Sequence, residues 1–176
     1  MDLLDTIFEL IDMRSFSNLW FWIMLAVLWS SLSHWVIGVP WDMVVRARRR
    51  EEDQTVEDLH DIVRVNCNRI LLISEEVGLI LCGFMCFTLT SLALLGFLYD
   101  NEFSQAIFLL AFPMTLLGLL SVRTAHMVRR DSLEGEALYR RLFRHRTTTQ
   151  ALGLVSIFVT AVWGMFQNYT NGALGG

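Results

Sequence analysis

The sequence predicts an all-α membrane bundle with four transmembrane helices, on three observations. Four apolar stretches, 19–39, 77–98, 103–122 and 150–166, approach or reach the roughly twenty residues that a helix rising ~1.5 Å per residue needs to cross ~30 Å of hydrocarbon. The 176 residues are 54% hydrophobic and only 18% charged. The basic residues are also segregated. All fourteen are arginine, and every one except Arg14 falls in the two segments that follow the first and third stretches.

Residues 1–18 come first. Leu3, Leu4, Ile7, Phe8, Leu10 and Ile11 recur at helical spacing, opposed by Asp2, Asp5, Glu9 and Asp12, which predicts an amphipathic helix lying in the membrane interface. An acidic start of this kind is not a cleavable signal peptide. The first span ends at Val39 and runs into Trp41, Arg46, Arg48, Arg49 and Arg50. Positive charge stays on the cytoplasmic side, so this cluster and its counterpart, Arg129, Arg130, Arg140, Arg141, Arg144 and Arg146, are read as topology determinants and lipid-headgroup contacts, with Trp41 as an interfacial anchor. Both termini then lie outside, and segments 40–76 and 123–149 lie in the cytoplasm. Nucleic-acid binding is excluded, because Glu51, Glu52, Asp53, Glu57, Asp58 and Asp61 cancel the first basic cluster at once.

The cytoplasmic segments read as helical. Thr55 followed by Glu57 and Asp58 is a helix start, and neither proline nor glycine intervenes before Gly78, so one long helix is expected from about Thr55 to Leu98. Tyr99–Glu102 forms a tight turn. In the second arginine-rich segment Ser132 is the expected cap, with Glu134 and Glu136 in the first turn and Leu133, Leu138 and Phe143 on the apolar side. Residues 19–176 form one transmembrane domain.

Helices in lipid associate over small and weakly polar side chains. Four such stripes are expected to close the bundle: Ala26, Ser30 and His34; Gly78, Cys82, Cys86 and Thr90; Thr115, Gly118 and Ser121; and Ser156, Thr160 and Gly164. Pro113 is expected to kink the third span. Glu75 is read as falling on the same face as Gly78, Cys82 and Cys86 and pointing into the bundle, which suggests an intramembrane polar cluster of His34, Glu75, Arg123 and His126 at the cytoplasmic end. Its bland reading is an ion-paired clasp, and its sharper one a proton or ion site. No cofactor and no metal is expected, although His34 and His126 could serve as an axial pair for haem b between facing helices. The chain carries no metalloprotease, P-loop, nucleophile-elbow or dinucleotide pattern, and no catalytic residue is assigned.

The strings FELIDMRSFSNLWFWIMLAVLWS, HWVIGVPWDMVVRARR and LALLGFLYDNEFSQAIFLLAFPMTLLGLLSVRTA resemble a small family of four-span bacterial inner-membrane proteins, over nearly the whole chain. Some members of that family are labelled as a component of the Suf iron–sulfur assembly complex. The resemblance implies a multi-pass protein of the bacterial inner membrane. With no reaction centre in the sequence, the expected role is a non-enzymatic accessory subunit surrounded by the bilayer and by other membrane-protein subunits.

Overall fold

The computed structural model describes residues 15–50 and 53–174, and the side chains of 16–49 and 54–170. The expected interfacial helix lies outside the described residues as far as Arg14, and so does the Arg50 side chain. A 3₁₀ turn at Ser15–Ser17 leads into α1, Leu19–His34. A two-stranded hairpin follows, β1 Trp35–Val36 and β2 Val39–Pro40, then α2 Trp41–Arg50, α3 Asp53–Ala93, α4 Glu102–Arg130 and α5 Gly135–Leu174.

Three helical stretches, Gln54–Leu98, Glu102–Arg130 and Gly135–Thr170, are long and apolar enough to cross a membrane; α1, at 16 residues, is a shorter apolar helix. α3 is unbroken for 41 residues, about 60 Å at ~1.5 Å per residue, and a π-helical turn at Leu94–Leu98 finishes it. It starts at Asp53, two residues before the expected cap. Asn101 caps α4 by accepting from the Ser104 amide at 3.0 Å. α4 runs through Pro113 as one helix. α5 starts at Gly135 rather than behind Ser132, which adopts a positive φ of 43° and belongs to the turn.

The first span departs most from expectation. Its helix stops at His34, and Ile37 and Gly38, both at positive φ (53° and 73°), close a two-residue hairpin that pairs Trp35 with Pro40 and Val36 with Val39. Those φ signs are the ones a tight hairpin needs, but isoleucine meets a steric penalty there that Asn or Gly avoids. Burial offsets it. Val36, Ile37 and Val39 are all at most 5% exposed, and Asn66 Nδ2 donates to the Gly38 carbonyl at 3.1 Å.

That hairpin belongs to a core that lies at the arginine-rich end, not in the middle of the apolar spans. Val44 and Ala47 of α2, Leu59, Val63, Cys67 and Leu71 of α3, Ala125 and Val128 of α4, and Leu138 and Leu142 of α5 pack around it. Segments expected to be cytoplasmic loops therefore form a folded cap. Beyond it, α3 lies on α4, α4 on α5, and α5 on α1. α1 runs antiparallel to α5, with Trp22 beside Gly164, Trp29 beside Gly153, and the Ser33 carbonyl accepting from Arg146 Nε at 3.3 Å.

The compact four-stripe bundle is therefore corrected to a row of helices. None of the most apolar eighteen-residue window of α3 is buried.

Candidate functional site

The four residues expected to form a polar cluster do not meet. Glu75 pairs with Arg129 rather than Arg123, at 3.4 Å, and both side chains are about half exposed. His34 is exposed and lies 3.8 Å from Asp42. Arg123 and His126 are exposed and line an open groove on α4 with Leu119, Val122, Met127 and Arg130. The reason is rotational. The half-buried face of α3 runs through Gly78, Met85, Leu89 and Leu92, and Glu75 sits about 60° around the helix from Gly78. The two histidines considered for a haem thus occupy separate exposed surfaces.

The same rotation corrects the packing stripe. Cys82 and Cys86 are exposed, while Gly78 is half-buried and meets only Ser74 of its own helix. A Cβ at Gly118 would meet nothing within 4 Å among the described residues. In α1 the expected face of Ala26, Ser30 and His34 is exposed, and the bulky Leu25 and Trp29 are buried instead. Large side chains of α1 fill gaps left by glycines of α5, so matching small residue to small residue selected the wrong face. Gly164 packs as expected, against Phe16 and Trp22.

α5 presents a continuous polar and small seam inward. His145, Thr149, Gly153, Ser156, Thr160, Gly164 and Gln167 are all buried, at spacings of three and four. Ser156, Thr160 and Gly164 were legible as a stripe; the rest escaped because His and Gln read as cap and tail residues. At the arginine-rich end the His145 imidazole Nδ1 lies 3.1 Å from Thr124 Oγ1. At the other end sits Gln105, 1% exposed. Its Nε2 donates to the Gly96 carbonyl (2.9 Å) and to Asp100 (3.1 Å), while its Oε1 accepts from Trp163 Nε1 (2.9 Å) and Gln167 Nε2 (2.6 Å). A buried amide must be fully paired to be tolerated, and this one ties the α3–α4 turn to α5. Between the two ends Ser156 Oγ, Thr160 Oγ1 and Trp29 Nε1 are buried without a partner among the described residues. Elsewhere helical hydroxyls bond back four residues, as Thr115 does to Ala111 and Ser121 to Leu117.

The arginines of the cap divide into two groups. Some are tied down: Arg46 to Asp42 at 3.6 Å, Arg48 and Arg140 to Glu136 at 3.2 and 3.4 Å, and Arg146 to Ser33 and to the Trp41 ring, 4.4 Å from its centroid. Arg141 is half-buried, with its Nε unpartnered among the described residues. Arg49, Arg130 and Arg144 point out with no carboxylate partner among the described residues. Among the concavities that the described residues of this cap form are two. One, of about 420 Å³, separates α3 from the α4–α5 turn and is lined by His60, Asp61, Arg64, Cys67, Arg129 and Glu134 among others. The other, of about 380 Å³, lies between α2 and the start of α5.

Long apolar helices on an arginine-rich folded cap are what this chain displays, and a comparison with known protein families, curated proteins and solved structures finds no match to it.

Proposed function

We propose that the chain is a four-span protein of the bacterial inner membrane, with both termini outside and the arginine-rich cap in the cytoplasm, serving as a non-enzymatic accessory or assembly subunit of a larger membrane complex. Two features support four spans. Paired antiparallel with α5, α1 and its flanks run from Phe16 at Gly164 to Ser33 at Arg146, about 27 Å of α5 axis, close to the ~30 Å of a bilayer core. Thirteen arginines on one side of such an arrangement satisfy the positive-inside bias.

The observation that carries the subunit reading is the exposed face of α3, in whose most apolar eighteen residues no side chain is fully buried. The faces that α4 and α5 expose are rich in Phe, Leu, Ile and Val, as suits lipid. α3 also exposes Cys82, Gly83, Cys86 and Thr90, small side chains that let another helix come close. The Suf label is not carried into this proposal: Cys67, the cysteine in the cap, is buried at 2% exposure and offers no accessible thiol to a cluster. Conduction through Glu75 is likewise not favoured, because that carboxylate pairs at the surface.

The test uses the native thiols. A photoactivatable maleimide on Cys86, with Cys82→Ala, should cross-link in intact membranes to one defined membrane protein. Replacing Gly83 by Leu should abolish that product while leaving the fold intact. Lipid adducts alone, with a monomer after gentle purification, would contradict the proposal.

A further inference from the structure

The groove between α2 and the first turns of α5 has an ordered polarity that neither the span count nor the subunit role requires. It is lined by Trp41, Val44, Val45, Arg48, Arg49, Tyr139 and Phe143 and holds about 380 Å³. Trp41, Val45 and Arg48 recur at four and three residues and so share one face of α2. Opposite them stand Tyr139 and Phe143, one turn apart on α5.

One end of the groove is apolar. Trp41 is half-buried, lies 6.1 Å from the Phe143 ring, and is fixed by Arg146 against the base of α1. The other end, about 10 Å further along α2, carries the Arg48 and Arg49 guanidinium groups. Arg146 and Ser33 mark where the apolar helices begin, so the apolar end faces the hydrocarbon and the cationic end faces water. Among the residues that line the groove the formal charge is positive. Glu136 is shared by Arg48 and Arg140, while Arg49 has no carboxylate partner among the described residues.

We propose that this groove binds one anionic phospholipid from the leaflet at the arginine-rich end, its phosphate held by Arg48 and Arg49 and its glycerol and upper acyl carbons lying along Val45, Trp41 and Phe143. Guanidinium forks suit phosphate oxygens, and the groove's order, apolar towards the membrane and cationic towards water, is that of a phospholipid standing in its leaflet. The assignment rests on the reading of the chain as a membrane protein but not on how many spans it has.

The experiment embeds the purified full chain in nanodiscs of equal phosphatidylglycerol and phosphatidylcholine and identifies the lipid retained on gentle release by native mass spectrometry. Phosphatidylglycerol should be retained over phosphatidylcholine by about thirty-fold, the preference expected of two arginines at an anionic surface. Arg48→Gln with Arg49→Gln should remove that preference. Val45→Trp, which fills the groove at unchanged charge, should remove it too. Arg130→Gln with Arg144→Gln, an equal loss of charge elsewhere on the cap, should leave it in place. Retention that survives the first pair, or that falls equally with the second, would overturn the site and leave only diffuse attraction. Thermal stabilisation by inorganic phosphate matching that by phosphatidylglycerol would make it an anion site, and would overturn the lipid assignment. Reporter topology plays no part in these readouts, so failure here rejects the groove without touching the span count.

Discussion

The indole of Trp29 occupies the space that any side chain at Gly153 would need: a Cβ added there would lie 2.6 Å from Cε3 and 3.0 Å from Cδ2 of the ring. This contact, with Phe16 and Trp22 on Gly164, seats α1 on α5. Gly153→Ala should therefore destabilise the protein by about 1–3 kcal/mol through overpacking, although alanine is the better helix former by ~1 kcal/mol. Combining it with Trp29→Leu should recover part of the loss. Unfolding midpoints in detergent would show this, and a stabilising Gly153→Ala would mean that α1 does not sit there.

Gln105 should be the least replaceable polar side chain. Gln105→Leu strands the Trp163 and Gln167 donors and the Gly96 carbonyl in a buried site, at about 3 kcal/mol in total. Gln105→Glu would keep the acceptor but set a second carboxyl group against Asp100 and the Gly96 carbonyl in a buried site, and should cost at least as much as Leu. A loss below about 1 kcal/mol for Leu would show that the cluster does not bind the turn to α5.

Glu75 and Arg129 should matter little to stability. Both are more than half exposed, so Glu75→Gln is expected to cost under about 1 kcal/mol, and Arg129→Gln should be similarly mild. A thermal-shift series of the two single variants and the double checks it. A large single loss rescued in the double would place the pair in a buried, low-dielectric setting instead.

The contrast between Glu75 and the long helix that carries it shows what could be read from residues alone. An unbroken helix from the fifties to Leu98 was legible because no breaker interrupts it and because apolar length is a strong signal. Which way that helix faces was not. Where the outside is lipid, Leu and Phe suit both faces equally, so Gly78, Cys82 and Cys86 could not be assigned inward or outward by hydrophobicity. The hairpin at Val36–Val39 was hidden for a different reason: Ile37 takes a positive φ with a β-branched side chain, and VIGV reads as the tail of a span rather than a turn. The buried cap escaped because its residues alternate with arginines, so its periodicity read as solvated interfacial helix rather than core.

Thr160 offers a test of how dry the α5 seam is. Its hydroxyl is buried at 1% residue exposure and has no partner among the described residues. Thr160→Val keeps the shape and removes the orphan group, so in a dry seam it should stabilise by about 1 kcal/mol. A decrease in stability would show the hydroxyl to be hydrogen-bonded in the membrane-embedded protein.

The central claim is that an arginine-rich folded cap sits on the cytoplasmic side of four spans. Impermeant thiol labelling in intact cells, on a background lacking Cys82 and Cys86, tests it most directly. Asn18→Cys and Asp100→Cys should react in intact cells, whereas Arg49→Cys and Ser132→Cys should react only after permeabilisation. Labelling of Ser132→Cys in intact cells would invert the orientation, and protection of Asn18→Cys would show that α1 does not cross and that the spans number three.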